Sequence, residues 1–252
     1  MRFCCLAPSL GPTIDALGLS QDCLGAASGT VLGLAPGDRT EIGTPEALDI
    51  PAILALQPDL CLADPLWNKA QDLESLSASC KVLELPAPSL AASKEALRRL
   101  GETLDVVEQA QALILAIEAQ ELAIEAEIAT LPPLRVALLL SKDPWLAAGS
   151  TSYEHSLLTA CGATNIYEDR AEASLPVDEE DLRTREPEGL LLSCPPFHAV
   201  DLELLEGDLF LAPRPILLIP MRDLRDRLAH SATALQDSHN LLMALRKNIG
   251  KA

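Results

Sequence analysis

One stretch of this chain occurs twice. Asp49-Ile-Pro-Ala-Ile-Leu-Ala-Leu-Gln-Pro58-Asp59-Leu-Cys-Leu-Ala63 lies over Asp178-Glu-Glu-Asp-Leu-Arg-Thr-Arg-Glu-Pro187-Glu188-Gly-Leu-Leu-Leu192 at a constant offset of 129 residues. Each copy reads as an Asp that caps a helix, a helix, a Pro that stops it, an acid in the turn and an apolar run of strand length. A weaker echo joins Ala16-Leu17-Gly18 to Ala160-Cys161-Gly162. A repeated helix–turn–strand unit restricts the chain to two similar halves.

The remaining pattern agrees. Apolar runs of strand length fall at 2–6, 22–26, 59–63, 81–85, 135–140, 189–193 and 216–219, with amphipathic stretches at 13–19, 50–56, 70–77, 152–161 and 179–184 between them. Such alternation predicts α/β halves with parallel sheets rather than a sandwich or a bundle. One region departs from it. From Ser93 to Thr130 there is no Pro and a single Gly, Gly101. The composition predicts a helix to about 103, a break at Leu104-Asp105 and a long helix over 106–130, ended by Pro132-Pro133. The expected organisation is an N-terminal α/β lobe over 1–104, a connecting helix over 105–131 and a C-terminal α/β lobe over 132–252. Thr151-Ser152-Tyr153-Glu154 reads as a capping box with Thr151 as the cap, and Asp178 as the cap of the helix that follows it.

Composition narrows the function. Among 252 residues, 48% are hydrophobic and 22% charged, enough for a substantial core. The net charge of −18 excludes nucleic acid and anionic lipid as non-specific partners, because phosphate binding needs clustered cations. No apolar run approaches the roughly 20 residues of a membrane-crossing helix, so no membrane insertion is expected. After Met1-Arg2 only Phe3 to Ala7 are apolar before Pro8-Ser9, too short for a secretory leader. As it stands the sequence therefore reads as cytoplasmic. With a Met1 that is not the native start, it reads as periplasmic or cell-surface. The seven cysteines (Cys4, Cys5, Cys23, Cys61, Cys80, Cys161, Cys194) form no CxxC pair and read as small buried hydrophobes.

No phosphate-binding glycine loop, HExxH, GxSxG or paired-cysteine motif is present. Cys194 and His198 make at most half a metal site, so no metal centre is expected. Of the four histidines, His155 and His198 lie near expected loop ends, whereas His230 and His239 read as solvated positions of a terminal helix. The repeat makes the loops after its two strands the place to look, because ligands of open α/β sheets bind beyond the carboxyl ends of the strands. Those loops carry Trp67 and Phe197, expected at matched positions on opposite walls of one cleft, in a chain that is only 3% aromatic.

Four segments in order resemble one family. They are Arg2-Phe-Cys-Cys-Leu-Ala-Pro-Ser9, Ile42-Gly43 with 52–63, Pro144-Trp145-Leu-Ala-Ala-Gly-Ser150, and Leu158-Thr-Ala-Cys-Gly-Ala-Thr-Asn165. Together they are similar to the class III substrate-binding proteins of ABC importers, the helical-backbone metal receptors, and nearest in look to the cobalamin-binding members. The resemblance implies two Rossmann-like lobes with parallel sheets joined by one long backbone helix. It also implies a monomer that binds a metal chelate and docks on an ABC permease. In cobalamin binders an aromatic side chain stands where Trp67 stands. The aromatic-rich loop of those proteins corresponds here to 26–38, which has no ring. The acid that each lobe presents to the permease has Asp72 and Asp226 as its nearest counterparts.

The expected function is therefore binding, without catalysis, of a corrinoid or related metal chelate in an inter-lobe cleft. Trp67, Tyr153 and Phe197 would pack on the flat ring, and Ser150, Thr151, His198 and Arg222 would supply polar contacts. No cofactor is required, a corrinoid or haem-like molecule being the ligand itself. Two other readings stay open. One is a tetrapyrrole metal chelatase using His155 or His198 as base and ligand. The other is a family member that has lost its ligand and acts as a protein partner.

Overall fold

The computed structural model describes residues 1–30, 39–194, 196–197, 215–220 and 227–249. His198, Arg222 and Asp226 lie outside them, as does 31–38. The chain divides into two compact units. The first comprises Met1–Ala87 and Ala91–Leu115 with a short piece near His230; the second holds Pro88–Leu90 and most of the chain from Ala116 onward.

In the first unit the strands are β1 (Phe3–Cys5), β2 (Cys23–Ala26), β3 (Thr40–Glu41), β4 (Gly43–Thr44), β5 (Ala47–Leu48), β6 (Leu60–Ala63) and β7 (Val82–Glu84). Its sheet has the order β3-β2-β1-β6-β7, every neighbouring pair parallel. Strands β4 and β5 form a separate small hairpin. Both β1 and β6 are buried at every position, as expected of a parallel sheet covered on two faces. The helices are α1 (Gly11–Ala16), α2 (Ile50–Ala55), α3 (Ala70–Ser77) and α4 (Leu90–Leu104). Ile53 of α2 and Leu73 and Leu76 of α3 close one face of the sheet over Cys4, Leu6, Cys61 and Ala63.

The break predicted at Leu104-Asp105 is present. Helix α4 ends at Leu104, and Asp105 takes a left-handed φ of 60°. Helix α5 then runs over Val107–Ile128, 22 residues or about 33 Å. At Gly101 a Cβ would sit 2.5 Å from the Ala110 Cβ, so the one glycine of this region permits α4 and α5 to meet closely.

The second unit contains β8 (Leu134–Lys142), β9 (Trp145–Ala148), β10 (Ala163–Asn165), β11 (Ser174–Pro176), β12 (Gly189–Cys194) and β13 (Ile216–Pro220). Its helices are α6 (Tyr153–Ala160), α7 (Glu179–Thr184) and α8 (Ser231–Ile249). Strands β10, β8, β12 and β13 are parallel. The sheet as a whole is mixed, because β9 folds back antiparallel on β8 and β11 pairs antiparallel with β9. The expected parallel sheet is present in the four parallel strands, and the antiparallel β9–β11 edge is an addition to it. The nine-residue β8 pairs along one side first with β10 and then with β9.

The sequence repeat is a structural repeat. Asp49 accepts from the Ala52 amide at 3.0 Å and Asp178 from the Asp181 amide at 2.8 Å. Gln57 and Glu186 each adopt φ 49°. The acid after each Pro closes the same two-bond ring. The Arg2 amide donates to the Asp59 carboxylate at 2.8 Å and the Asp59 amide to the Arg2 carbonyl at 2.9 Å. Arg135 and Glu188 do the same at 2.8 Å in both directions.

Two local readings change. The cap of α6 is Ser152, which accepts from the His155 amide at 3.0 Å, and not Thr151. Ser152 has the extended backbone of a cap, and the helix starts one residue later than expected. His239 is not solvated. It is 3% exposed and its Nε2 lies 2.9 Å from a Glu127 carboxylate oxygen on α5. His230 precedes α8 and is exposed.

Candidate functional site

The carboxyl ends of the first unit's strands carry an ordered set of loops. After β6 the Asp64 carboxylate accepts from the Ser9 hydroxyl at 2.7 Å and the Leu66 amide at 3.0 Å, which bends the chain sharply. Asn68 pins the far side of the turn. Its Nδ2 donates to the carbonyls of Leu6 (2.8 Å) and Pro45 (3.1 Å), and its Oδ1 accepts from the Asp64 amide at 3.1 Å. Trp67 is half-buried on this turn, beside an exposed Pro65 and Leu66. Along the same edge, beyond β2, a pocket of about 170 Å³ is lined by Ser28, Gly29, Thr30, Arg39 and Glu41, among others. Arg39 Nη2 donates to the Thr30 carbonyl at 2.7 Å. Asp72 is half-buried on α3, and Glu74 of that helix is exposed on a second pocket of about 360 Å³.

In the second unit the corresponding edge is built from the β8–β9 hairpin and the loop after β12. Trp145 opens β9 at the carboxyl end of β8, opposite Lys142. Its ring stacks on Phe197 with centroids 6.0 Å apart and planes 28° from parallel. The Phe197 amide donates to the Ser193 carbonyl at 3.0 Å, and the Ser193 hydroxyl to the Leu140 carbonyl at 2.9 Å. Phe197 is 1% exposed, whereas Trp145 is half-buried.

These bonds correct the pairing of Trp67 with Phe197. In the first unit the amide that reaches back to the Asp64 carbonyl across four residues is that of Asn68. Phe197 therefore matches Asn68 in the repeat, and Trp67 matches the exposed Pro196. Trp145, which sequence reasoning missed, is the partly open ring of the second edge. The usable signal was that the chain has two Trp residues, each just beyond a buried strand.

Tyr153 is also relocated. It is fully buried, and its hydroxyl donates to the Ser231 hydroxyl at 3.0 Å, joining α6 to α8. Its ring has no open face, so it braces helices rather than meeting a ligand. Ser150 is half-buried with its hydroxyl donating to the Arg170 carbonyl at 2.8 Å, and Thr151 is exposed. Both follow β9, whose antiparallel course carries them away from the hairpin edge that holds Trp145. His155 is half-buried with Nδ1 3.5 Å from the Asn165 amide nitrogen. Among the described residues no group of three His, Cys, Asp or Glu is placed to hold a metal ion. Burial pushes the Cys23 thiol up to about 11 and the Cys161 thiol up to about 12. These two behave as the small buried hydrophobes expected of them.

Two sheet-and-helix units with a long helix between them in the chain, and aromatic loops at the strand ends, define a solute-binding protein fold. The sequence profile of the family described as "Periplasmic binding protein" matches residues 17–217, and the chain belongs to that family. A vitamin B12-binding protein of Salmonella choleraesuis is 26% identical over 174 residues, 69% of this chain and 65% of that protein. The chain thus spans about 65% of the length of that relative. The crystal structure of the periplasmic vitamin B12 binding protein of Vibrio cholerae superimposes with a TM-score of 0.80 at 18% identity, covering 98% of both chains. The periplasmic heme binding protein of the same organism gives 0.81 at 20% identity over 96% and 98%. At these identities the two structures bear on the fold, which is that of the class III substrate-binding proteins. Among the described residues no helix is long and apolar enough to cross a membrane.

Proposed function

We propose that this chain is a non-catalytic binding protein for a corrinoid, cobalamin-like ligand or a related metal chelate, serving ABC-type uptake outside the cytoplasm. The observation that carries the reading is that each Trp stands, partly open, at the carboxyl end of its own sheet: Trp67 on the Asp64-anchored turn and Trp145 on its Phe197 backing. A partly open indole on a rigid support suits one face of a flat apolar ring, since its area is offered without loss of side-chain freedom. Ser28, Thr30 and Arg39, on the same edge as Trp67, are suited to polar substituents of the ring. The names of the relatives favour a corrinoid, and the heme-binding neighbour keeps haem as the second chelate to test. Docking on a permease would use acids of α3, Asp72 or the more exposed Glu74. The protein would act as a monomer.

The test is titration of the purified chain with cyanocobalamin, haemin and a ferric siderophore, read by ligand absorbance and Trp fluorescence. One of them is expected to bind, and Trp67→Ala and Trp145→Ala are each expected to weaken it by about 10- to 100-fold, the effect of losing about 1.5–3 kcal/mol of ring burial. Absence of binding by all three at high micromolar concentration overturns the proposal. Cobalt or iron insertion into a free tetrapyrrole, lost on His155→Ala, would replace it with a chelatase.

A further inference from the structure

Three thiols of the first unit stand in a row. Cys4 on β1 and Cys61 on β6 are register partners on adjacent parallel strands, and both are fully buried under α2 and α3. Cys80, between α3 and β7, packs against the same cluster but is only half-buried. Its Sγ lies 3.7 Å from that of Cys61. The backbone carrying both sulfurs is fixed, the Cys61 amide donating to the Lys81 carbonyl and the Cys80 amide to the Leu76 carbonyl, each at 2.8 Å. Among the described residues these thiols form no metal-holding group.

We propose that Cys61 and Cys80 are a redox modification site, closing to an intramolecular disulfide when the reduced chain meets a small-molecule disulfide oxidant. Cys80 reacts first, because it is the one the oxidant can reach. Its thiolate attacks one sulfur of the oxidant, forming a mixed disulfide and releasing one thiolate. The Cys61 sulfur, already at van der Waals distance, then attacks the Cys80 sulfur. The sulfur–sulfur bond to the oxidant breaks, and the Cys61 proton passes to the departing thiolate. Two protein thiols are oxidised and one oxidant disulfide is reduced to two thiols. Hydrogen bonding to Cys4, then burial, hold the Cys61 thiol far above its usual range, so Cys61 does not start the exchange, and its attack on Cys80 depends on the short sulfur–sulfur approach and on the departing thiolate taking its proton. The closed loop would enclose the Asp64–Asn68 turn, Trp67 and all of α3, tying the first unit's ring-bearing loop to its sheet.

The experiment treats the reduced full chain with glutathione disulfide, quenches with acid, labels free thiols with a maleimide and maps peptides by mass spectrometry. Two of the seven thiols are expected to vanish, with one Cys61–Cys80 cross-link that dithiothreitol reverses. Cys61→Ser is expected to leave a lasting glutathione adduct on Cys80, and Cys80→Ser to leave Cys61 unmodified. A lasting Cys80 adduct in the unsubstituted chain, a cross-link involving Cys4, or seven surviving thiols would overturn the proposal.

Discussion

The loops after β6 and β12 share one backbone hydrogen bond and differ in the side chain that anchors it. In both, an amide reaches back across four residues to the end of the strand: Asn68 to Asp64, Phe197 to Ser193. In the first unit the anchoring side chain is a buried amide that satisfies three backbone groups. In the second it is a buried ring stacked on Trp145. One turn is thus held by polar satisfaction and the other by apolar packing. The aromatic residue that remains partly open differs accordingly: Trp67 on the turn itself in the first case, Trp145 on the neighbouring hairpin in the second. A repeated turn bond does not oblige the two copies to expose the same position.

Exchanging the anchors gives the largest effects. Phe197→Ala is expected to cost about 3–5 kcal/mol by leaving a cavity beneath Trp145. Asn68→Ala is expected to cost about 2–3 kcal/mol by stranding the Leu6 and Pro45 carbonyls and the Asp64 amide. Both are measurable by urea unfolding monitored by circular dichroism. If Asn68→Leu were harmless, the polar account of the first loop would fail. The helix caps come next. Asp49→Ala is expected to lose about 1 kcal/mol and Asp178→Ala less, because Glu179, Glu180 and Asp181 already crowd the first turn of α7 and repel Asp178. Equal losses in chemical unfolding would show that the extra acids do not matter. The smallest effect is also the most symmetric. Gln57→Gly and Glu186→Gly, each relieving a φ of 49°, are expected to stabilise by about 0.5 kcal/mol apiece. Unequal shifts in thermal unfolding would mean that the two turns are not energetically equivalent.

Much of this was written locally. The Asp49 and Asp178 caps, the Pro stops and the break at Asp105 follow from short-range chemistry, because a side chain within three residues of an orphan amide, or a missing N–H, acts whatever surrounds it. The antiparallel edge of the second sheet was not legible. The apolar run at 134–140 looks the same whether its neighbour runs with it or against it. Tyr153 and His239 misled for a related reason. A Tyr near a helix start and a His in a polar helix look accessible until Ser231 and Glu127, distant in the chain, are brought against them.

By itself, then, the sequence determined that there are two copies of one unit and where each helix of that unit begins and stops. The interactions responsible span only a few residues. Tertiary structure alone decided which rings stay open at the strand ends, because exposure is a property of what packs against a side chain. Phe197 is hidden by the Trp145 of a neighbouring hairpin, whereas Trp67 stays partly open on a turn held from below by Asn68.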